Sequence, residues 1–205
     1  MVNFKIEKLR LNNLFISLSI VIITTIVLNI SIGIIAYLKL SEYCEFLSMI
    51  LSLIISFIII PTYLSSIFNY KTNPFKLLTI KNLLSYFIIL LILIVYVDDY
   101  KLIIFYFLIA LGEEFLFREV VFNILLNNFS LLTSISIGSL LFALILHLNE
   151  SLESNLLIRF PSSIILYVIR YKFKLSFSII THWIYNIFIV VMRWFSWNQY
   201  YYPYF

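Results

Sequence analysis

The chain has 205 residues, of which 63% are hydrophobic and only 12% are charged, and its net charge is +4. A soluble domain carries about 25% charged residues, so this composition excludes a soluble globular protein and predicts an integral membrane protein. The single cysteine, Cys44, excludes an intramolecular disulfide and a cysteine metal cluster. The positive charge lies in a few loops, so it bears on membrane topology and not on nucleic-acid binding.

Seven apolar stretches have lengths near the roughly 20 residues that a bilayer core requires, and they predict transmembrane helices. They lie at about 14–38, 46–68, 83–97, 102–126, 131–148, 156–171 and 175–195. The first is too long for a signal-peptide core and lacks a small-residue cleavage site, so we expect it to be retained. No repeat or linker interrupts the chain. We therefore predict an all-α, polytopic transmembrane helix bundle of about seven spans, forming one domain over residues 1–205.

Two prolines bear on the ends of these helices. Pro61 is expected to kink or end the second helix, because proline lacks the N–H that an interior position needs. Pro161 is the expected start of the sixth helix, with residues 155–160 forming a non-helical approach.

Basic residues are concentrated in alternate loops, and this pattern predicts the orientation. Nine of the fourteen basic residues precede the first span or lie in the loops after the second and sixth spans. The positive-inside rule then predicts a cytoplasmic N-terminus, and seven spans leave the C-terminus outside. The aromatic tail, residues 194–205, is typical of an interfacial belt. Arg159 and Arg193, near span ends, are expected to extend toward the membrane surface.

The fourth span contains charged side chains at membrane depth, in the stretch from Leu111 to Val120. Each such charge costs about 2.5–3.5 kcal/mol at the centre of a helix, so intramembrane charges usually serve a function. Glu114 and Arg118 are four residues apart and share a face, whereas Glu113 points about 100° away. One interpretation is that the arginine holds one carboxylate while the other stays free for chemistry. The alternative is a charge cluster that only joins helices.

Both histidines of the chain, His147 and His182, lie in apolar stretches, and His182 shares a helical face with Asn186, four residues on. Hydrolysis is the chemistry that fits this set. A buried carboxylate can take a proton from water, one histidine can share that water, and the second histidine with the amide can donate hydrogen bonds to the oxyanion of a scissile carbonyl. The predicted spans place His147 near the outer end of its helix and His182 nearer the inner end of its own. A shared site therefore requires shifted boundaries or tilted helices.

Three motifs now suggest a family. The stretch from Glu113 to Arg118 resembles the EExxxR motif of the CAAX-protease and bacteriocin-processing (CPBP, or Abi) family of intramembrane proteases. The stretch from His182 to Asn186 is similar to its HxxxN motif, and Phe142 with the residues up to His147 resembles its FxxxH motif. The resemblance covers about residues 100–195, which we take as the catalytic core.

The resemblance implies a glutamate-dependent endopeptidase that cuts within or near the membrane. Glu113 would activate water with His147, Glu114 and Arg118 would support it, and His182 with Asn186 would form the oxyanion site. The family has often been labelled as metalloproteases; no cofactor is expected here, but zinc is an open alternative, with Glu113, His147 and His182 as its ligands. No His-Glu-x-x-His spacing occurs.

Two positions depart from the family pattern. Phe142 lies five residues before His147, so Ala143 occupies the aromatic position, and Glu119 follows Arg118 where the family usually has glycine. Because the histidine carries the chemistry, the first departure affects packing more than catalysis.

The expected partners are membrane lipid and a peptide or protein substrate, such as a prenylated CAAX protein or a bacteriocin precursor, and the expected location is the bacterial plasma membrane. Two alternatives remain open. A non-catalytic bacteriocin self-immunity or interaction protein would tolerate conservative changes at Glu113. A proton-linked transporter would use the buried glutamates and histidines as a proton relay.

Overall fold

The computed structural model describes residues 2–148 and 150–201, with side chains for residues 7–148 and 150–192. The described chain is helical, without strands, and forms seven helical stretches, which confirms the predicted all-α bundle. In chain order they are α1 (Val2–Leu38), α2 (Glu42–Ile67), α3 (Ile80–Tyr96), α4 (100–126), α5 (Leu131–Leu146), α6 (Leu152–Lys172) and α7 (Leu175–Tyr201). The side chains of Arg193 and of the predicted aromatic belt, 194–205, lie outside the described residues.

Four of the helices are long and apolar enough to cross a membrane, which supports an integral membrane protein. These segments are Glu7–Leu38, Glu42–Ile67, Leu152–Lys172 and Leu175–Met192. Helices α3 and α5 are apolar but shorter. Helix α4 is long, but five charged residues lie along it.

Helix α4 lies in the centre of the bundle, and this position explains how it accommodates its charges. Every residue from 110 to 122 is buried, including Glu113, Glu114, Arg118 and Glu119. Helices α1, α2, α5 and α7 pack around it, and α6 contacts it through Tyr167 and Arg170. Its charged side chains therefore face protein rather than lipid. A charged group at membrane depth is tolerated where it faces the bundle interior and has partners there.

Polar contacts at the two ends of the bundle show that the helices alternate in direction. At one end, Arg10 near the start of α1 donates to the carbonyl of Asn128, just after α4, at 3.0 Å. At the same end Tyr70, after α2, donates to Asn13 Oδ1 at 2.6 Å. At the other end Lys101, at the start of α4, pairs with Glu42 at the start of α2.

Pro61 does not end α2, and the expectation that Pro161 begins the sixth helix was wrong. A π-helical turn precedes each of them, Ile55–Ile59 in α2 and Asn155–Arg159 in α6, and the helix continues beyond. Proline lacks an N–H, and its ring collides with the carbonyl four residues back. A wider turn with i→i+5 hydrogen bonds relieves both problems within an unbroken helix. Residues 155–160, expected to be non-helical, are therefore part of α6.

Candidate active site

The buried ion pair between Glu114 and Arg118 lies in the middle of α4. Glu114 Oε1 is 3.3 Å from Arg118 Nη1, and neither side chain has any exposed surface. Arg118 lies within a π-helical segment, Phe115–Val121, and Glu114 directly precedes that segment. Such segments are rare and occur frequently at functional sites. The i,i+4 spacing in the sequence therefore corresponds to a real contact.

Glu114 also receives two donors from α7, and these join the two helices at the site. His182 Nδ1 lies 2.8 Å from Glu114 Oε1, and the Ser178 hydroxyl donates to Glu114 Oε2. Ser178 and His182 are four residues apart, so one face of α7 supplies both. Because the carboxylate pairs with Arg118 and has hydrogen-bond partners in Ser178 and His182, its oxygens are occupied by groups inside the protein.

The second nitrogen of His182 faces the other glutamate. His182 Nε2 is 3.6 Å from Glu113 Oε2, and both side chains are buried. This distance is slightly too long for a direct hydrogen bond, which is the situation in which a bridging water is considered. Glu113, unlike Glu114, has no other ion-pair partner among the described residues. His182 thus lies between the two carboxylates, with one ring nitrogen toward each of them.

Three groups besides Glu114 hold Arg118 in place. Arg118 Nη2 donates to Ser163 Oγ of α6 at 3.0 Å. Its guanidinium lies over the rings of Phe142 and Tyr167, 4.8 and 4.7 Å from their centroids. A cation over an aromatic ring is stabilised by the ring quadrupole, by about 2 kcal/mol or more when desolvated. Arg118 therefore connects α4 to α5 and α6 as well as balancing Glu114.

His147 lies beside this cluster but has different partners. It immediately follows α5, where its backbone leaves the helical conformation. Its Nε2 is 3.2 Å from Arg159 Nη1, and its carbonyl accepts from Asn155 Nδ2 at 2.9 Å. The ring of Phe142 contacts both imidazoles, with centroids 5.0 Å from His147 and 6.2 Å from His182. The structure thus brings both histidines to one aromatic ring, although only His182 contacts the glutamates.

The predicted spans placed His147 and His182 at different depths in the membrane, and the short helix α5 accounts for how they can approach each other. α5 ends at Leu146, and α6 begins again at Leu152. A helix of 16 residues rises only about 24 Å, less than the roughly 30 Å of a bilayer core. His147 is therefore expected below the membrane surface, where it can approach the residues in the middle of α4.

Asn186 lies one turn after His182 on α7 and is half-buried. Within the described residues its carboxamide has no hydrogen-bond partner. It shares the helix and the face of His182, as predicted, but nothing holds it in a fixed orientation.

Sequence reasoning missed three residues that contribute to the site: Ser163, Ser178 and Arg159. Ser178 had a detectable signal, because it precedes His182 by four residues and so lies on the same face. Ser163 had none, since its contact with Arg118 joins residues 45 positions apart. Arg159 was expected to extend to the membrane surface; instead it contacts His147 and, at 2.9 Å, Glu150 Oε1.

Among the residues with described placement, no group of three or more His, Cys, Asp or Glu side chains is arranged to hold a metal ion. The alternative ligand set of Glu113, His147 and His182 is not such a group. Glu114 Oε1 already has a cationic partner, Arg118.

Comparison with known proteins gives one match. Residues 99–188 match the family model described as type II CAAX prenyl endopeptidase Rce1-like. The matched segment runs from the residue that caps α4 into α7, so it includes both glutamates, Arg118, both histidines and Asn186. Neither the curated proteins nor the solved structures contain a match.

Proposed function

We propose that this protein is an intramembrane endopeptidase that hydrolyses a peptide bond in a membrane-associated protein or peptide, because residues 99–188 match the model of the type II CAAX prenyl endopeptidase Rce1-like family. The observation that supports the proposal most is the position of His182. Its two ring nitrogens face two different glutamates, Glu114 at 2.8 Å and Glu113 at 3.6 Å.

Glu114 orients the imidazole in this proposal. An ionised carboxylate only accepts hydrogen bonds, so the Nδ1 of His182 is the nitrogen that carries a proton toward it. The Nε2 of a neutral ring is then an acceptor, directed at the space beside Glu113. Arg118 and Ser178 hold the carboxylate of Glu114 still, and a fixed carboxylate fixes the ring. Such an arrangement prepares a histidine for proton transfer.

Glu113 is the proposed general base. A water between its carboxylate and His182 Nε2 would lose a proton to Glu113 while its oxygen attacks the scissile carbonyl carbon. The carbonyl electrons move to oxygen, and donors at the site stabilise the oxyanion. The same carboxyl group then protonates the leaving amine as the carbon–nitrogen bond breaks. A positioned base of this kind contributes about 10²–10⁴-fold to the rate.

The remaining site residues have supporting roles in the proposal. His147, beside Phe142, and Asn186, one turn beyond His182, are candidate donors to the water or to the oxyanion. This division differs from the one implied by family resemblance, which pairs Glu113 with His147 and gives His182 the oxyanion. We favour His182 as the partner of Glu113 because of its 3.6 Å contact.

The family description and the sequence motifs are the basis for choosing the substrates to test. A prenylated CAAX-type peptide is the first substrate to test, and a bacteriocin precursor is the second. We place the enzyme in the bacterial plasma membrane with its N-terminus in the cytoplasm, because the basic loops lie at the end of the bundle that contains the start of α1.

The test compares two conservative substitutions on the same helix, Glu113→Gln and Glu119→Gln. Both side chains are buried to a similar degree, with 7% and 6% exposed, but Glu119 pairs with Arg170 rather than with His182. We expect Glu113→Gln to lower cleavage of a prenylated peptide in proteoliposomes by about 10²–10⁴-fold. Glu119→Gln should retain most of the activity, although it breaks two ion pairs.

Equal activity of the two variants would contradict a catalytic role for Glu113. Retained biological function in a Glu113→Gln strain, with no cleavage by either protein, would favour the non-catalytic interaction protein instead.

A further inference from the structure

The contact between Arg159 and His147 specifies which nitrogen of the imidazole carries the proton. Arg159 Nη1 lies 3.2 Å from His147 Nε2. A guanidinium has five N–H donors and no acceptor, and it remains protonated in proteins. The imidazole nitrogen facing it must therefore accept. A neutral imidazole has one N–H and one acceptor, so the proton of His147 lies on Nδ1.

The arginine itself is held in this position. Arg159 Nη2 donates to Glu150 Oε1 at 2.9 Å, so the acidic side chain after α5 and the arginine of α6 form a pair. Asn155, one turn before Arg159, donates to the carbonyl of His147 at 2.9 Å. The start of α6 thus fixes both the backbone and the ring of His147.

We propose that Arg159 is a positioning residue that holds His147 as the Nδ1–H tautomer, so that this histidine donates a hydrogen bond during the reaction and does not act as a base. Within the described residues the ring has no hydrogen-bond partner besides Arg159, which leaves Nδ1–H for a water or a substrate carbonyl. The two ring nitrogens point in different directions, so Arg159 does not cover Nδ1.

The tautomer divides the chemistry between the two histidines. His182 presents an acceptor nitrogen toward Glu113, whereas His147 presents a donor. When the water oxygen attacks the carbonyl carbon, its proton passes to Glu113, and Nδ1–H of His147 keeps its own proton while it hydrogen-bonds the reacting oxygen. This functional part rests on the proposed protease function, but the tautomer does not.

The chain offers a direct test, because it contains only two histidines. Protein labelled with ¹⁵N-histidine in lipid nanodiscs gives four ring-nitrogen signals, and the ¹⁵N shift separates a protonated nitrogen from an unprotonated one. A His182→Gln variant assigns the signals of His147. We expect a protonated Nδ1 and an unprotonated Nε2 for His147 in the wild-type protein.

Substitutions of Arg159 then show whether the arginine causes this state. Arg159→Met should introduce the Nε2–H form, whereas Arg159→Lys, which keeps a charged donor, should retain Nδ1–H. Lys101→Met is the matched control, because it removes another basic residue paired with a glutamate at the same end of the bundle. Unchanged His182 signals would show that each variant is folded.

A protonated Nε2 in the wild-type protein, or an identical His147 spectrum in Arg159→Met, would overturn the proposal. The activity measurement is separate. In an active preparation, Arg159→Met should lower kcat more than it changes KM, by on the order of tenfold, as for other residues that orient a functional imidazole, and Arg159→Lys should restore it. A wild-type protein that cleaves no substrate but shows the predicted spectra would refute the protease function and leave the tautomer intact.

Discussion

Two glutamates of α4 each form an ion pair with an arginine, and the two pairs differ in their surroundings. The deep pair, Glu114 with Arg118, has no exposed side-chain surface. The rim pair, Glu119 with Arg170, has side chains that are 8% and 26% exposed, and Lys76 lies 3.7 Å from the same carboxylate. The deep pair is fully enclosed by protein, whereas the rim pair is partly exposed and has Lys76 as a second cation.

This difference indicates what each pair contributes. A buried ion pair gains little over apolar packing, but removing one partner leaves an uncompensated charge. Breaking the deep pair should therefore be strongly destabilising, although the pair itself adds little stability compared with apolar residues. In the proposed mechanism its contact with His182 gives it a purpose, because Glu114 would orient that ring. The rim pair needs no such explanation, since partly exposed pairs are common and contribute little.

Arg118→Met is the substitution with the largest expected effect on stability. It removes the cation next to Glu114, the hydrogen bond to Ser163 and the contacts with two aromatic rings. We expect a loss of about 3–5 kcal/mol in the free energy of unfolding, measured by reversible unfolding in mixed micelles. A loss no greater than that of the rim variant below would show that depth does not distinguish the pairs.

Gly138→Ala should have an intermediate effect, because it disturbs a ring that supports the deep pair. A Cβ at Gly138 would overlap the hydroxyl of Tyr167, whose ring lies under Arg118 and whose hydroxyl donates to the carbonyl of Phe117 at 3.0 Å. Overpacking of this kind typically costs about 1–3 kcal/mol. The measurement is the unfolding midpoint in the same micelles.

Gly33→Ala is the matched control for that change. It makes the same substitution in α1, where a Cβ would have no neighbour within 4 Å. The control should be neutral or slightly stabilising, because alanine favours a helix more than glycine does. Similar destabilisation by both variants would rule out the collision with Tyr167 as the cause.

Arg170→Met should have the smallest effect, about 1 kcal/mol, because Lys76 remains beside Glu119 and solvent reaches the pair. Raising the ionic strength should reduce the difference between wild type and variant, since salt screens exposed charges. Arg118→Met should show no such dependence. The comparison fails if the two variants respond to salt in the same way.

The sequence was sufficient to predict the fold class and the matching family, because both depend on local patterns. The apolar lengths predicted seven helices, and the structure has seven helical stretches. The i,i+4 spacing of Glu114 and Arg118 predicted their contact. The three motifs predicted a CAAX-protease family, and a model of that kind matches residues 99–188.

The rest depends on long-range packing, which local patterns do not encode. Two helices continue through π-helical turns before Pro61 and Pro161, where proline was expected to kink or end the first helix and to begin the second. The contact of Arg159 with His147 depends on how α5 and α6 pack together. From the sequence alone, the position of Arg159 near a span end predicted that it extends to the membrane surface. Local spacing also could not predict that His182 is the histidine that faces Glu113, because this contact depends on the packing of α7 against α4.

The π-helical segment of α4 also affects which positions can vary during evolution. Tyr167 and Arg170 of α6 donate to the main-chain carbonyls of Phe117 and Arg118, at 3.0 and 3.1 Å. A main-chain acceptor is present whatever the side chain, so substitution at position 117 leaves this attachment in place. In a saturation-mutagenesis library, the hydrogen bond from Tyr167 should therefore constrain position 167 and the backbone shape of α4, and it should place no constraint of its own on the side chain at position 117.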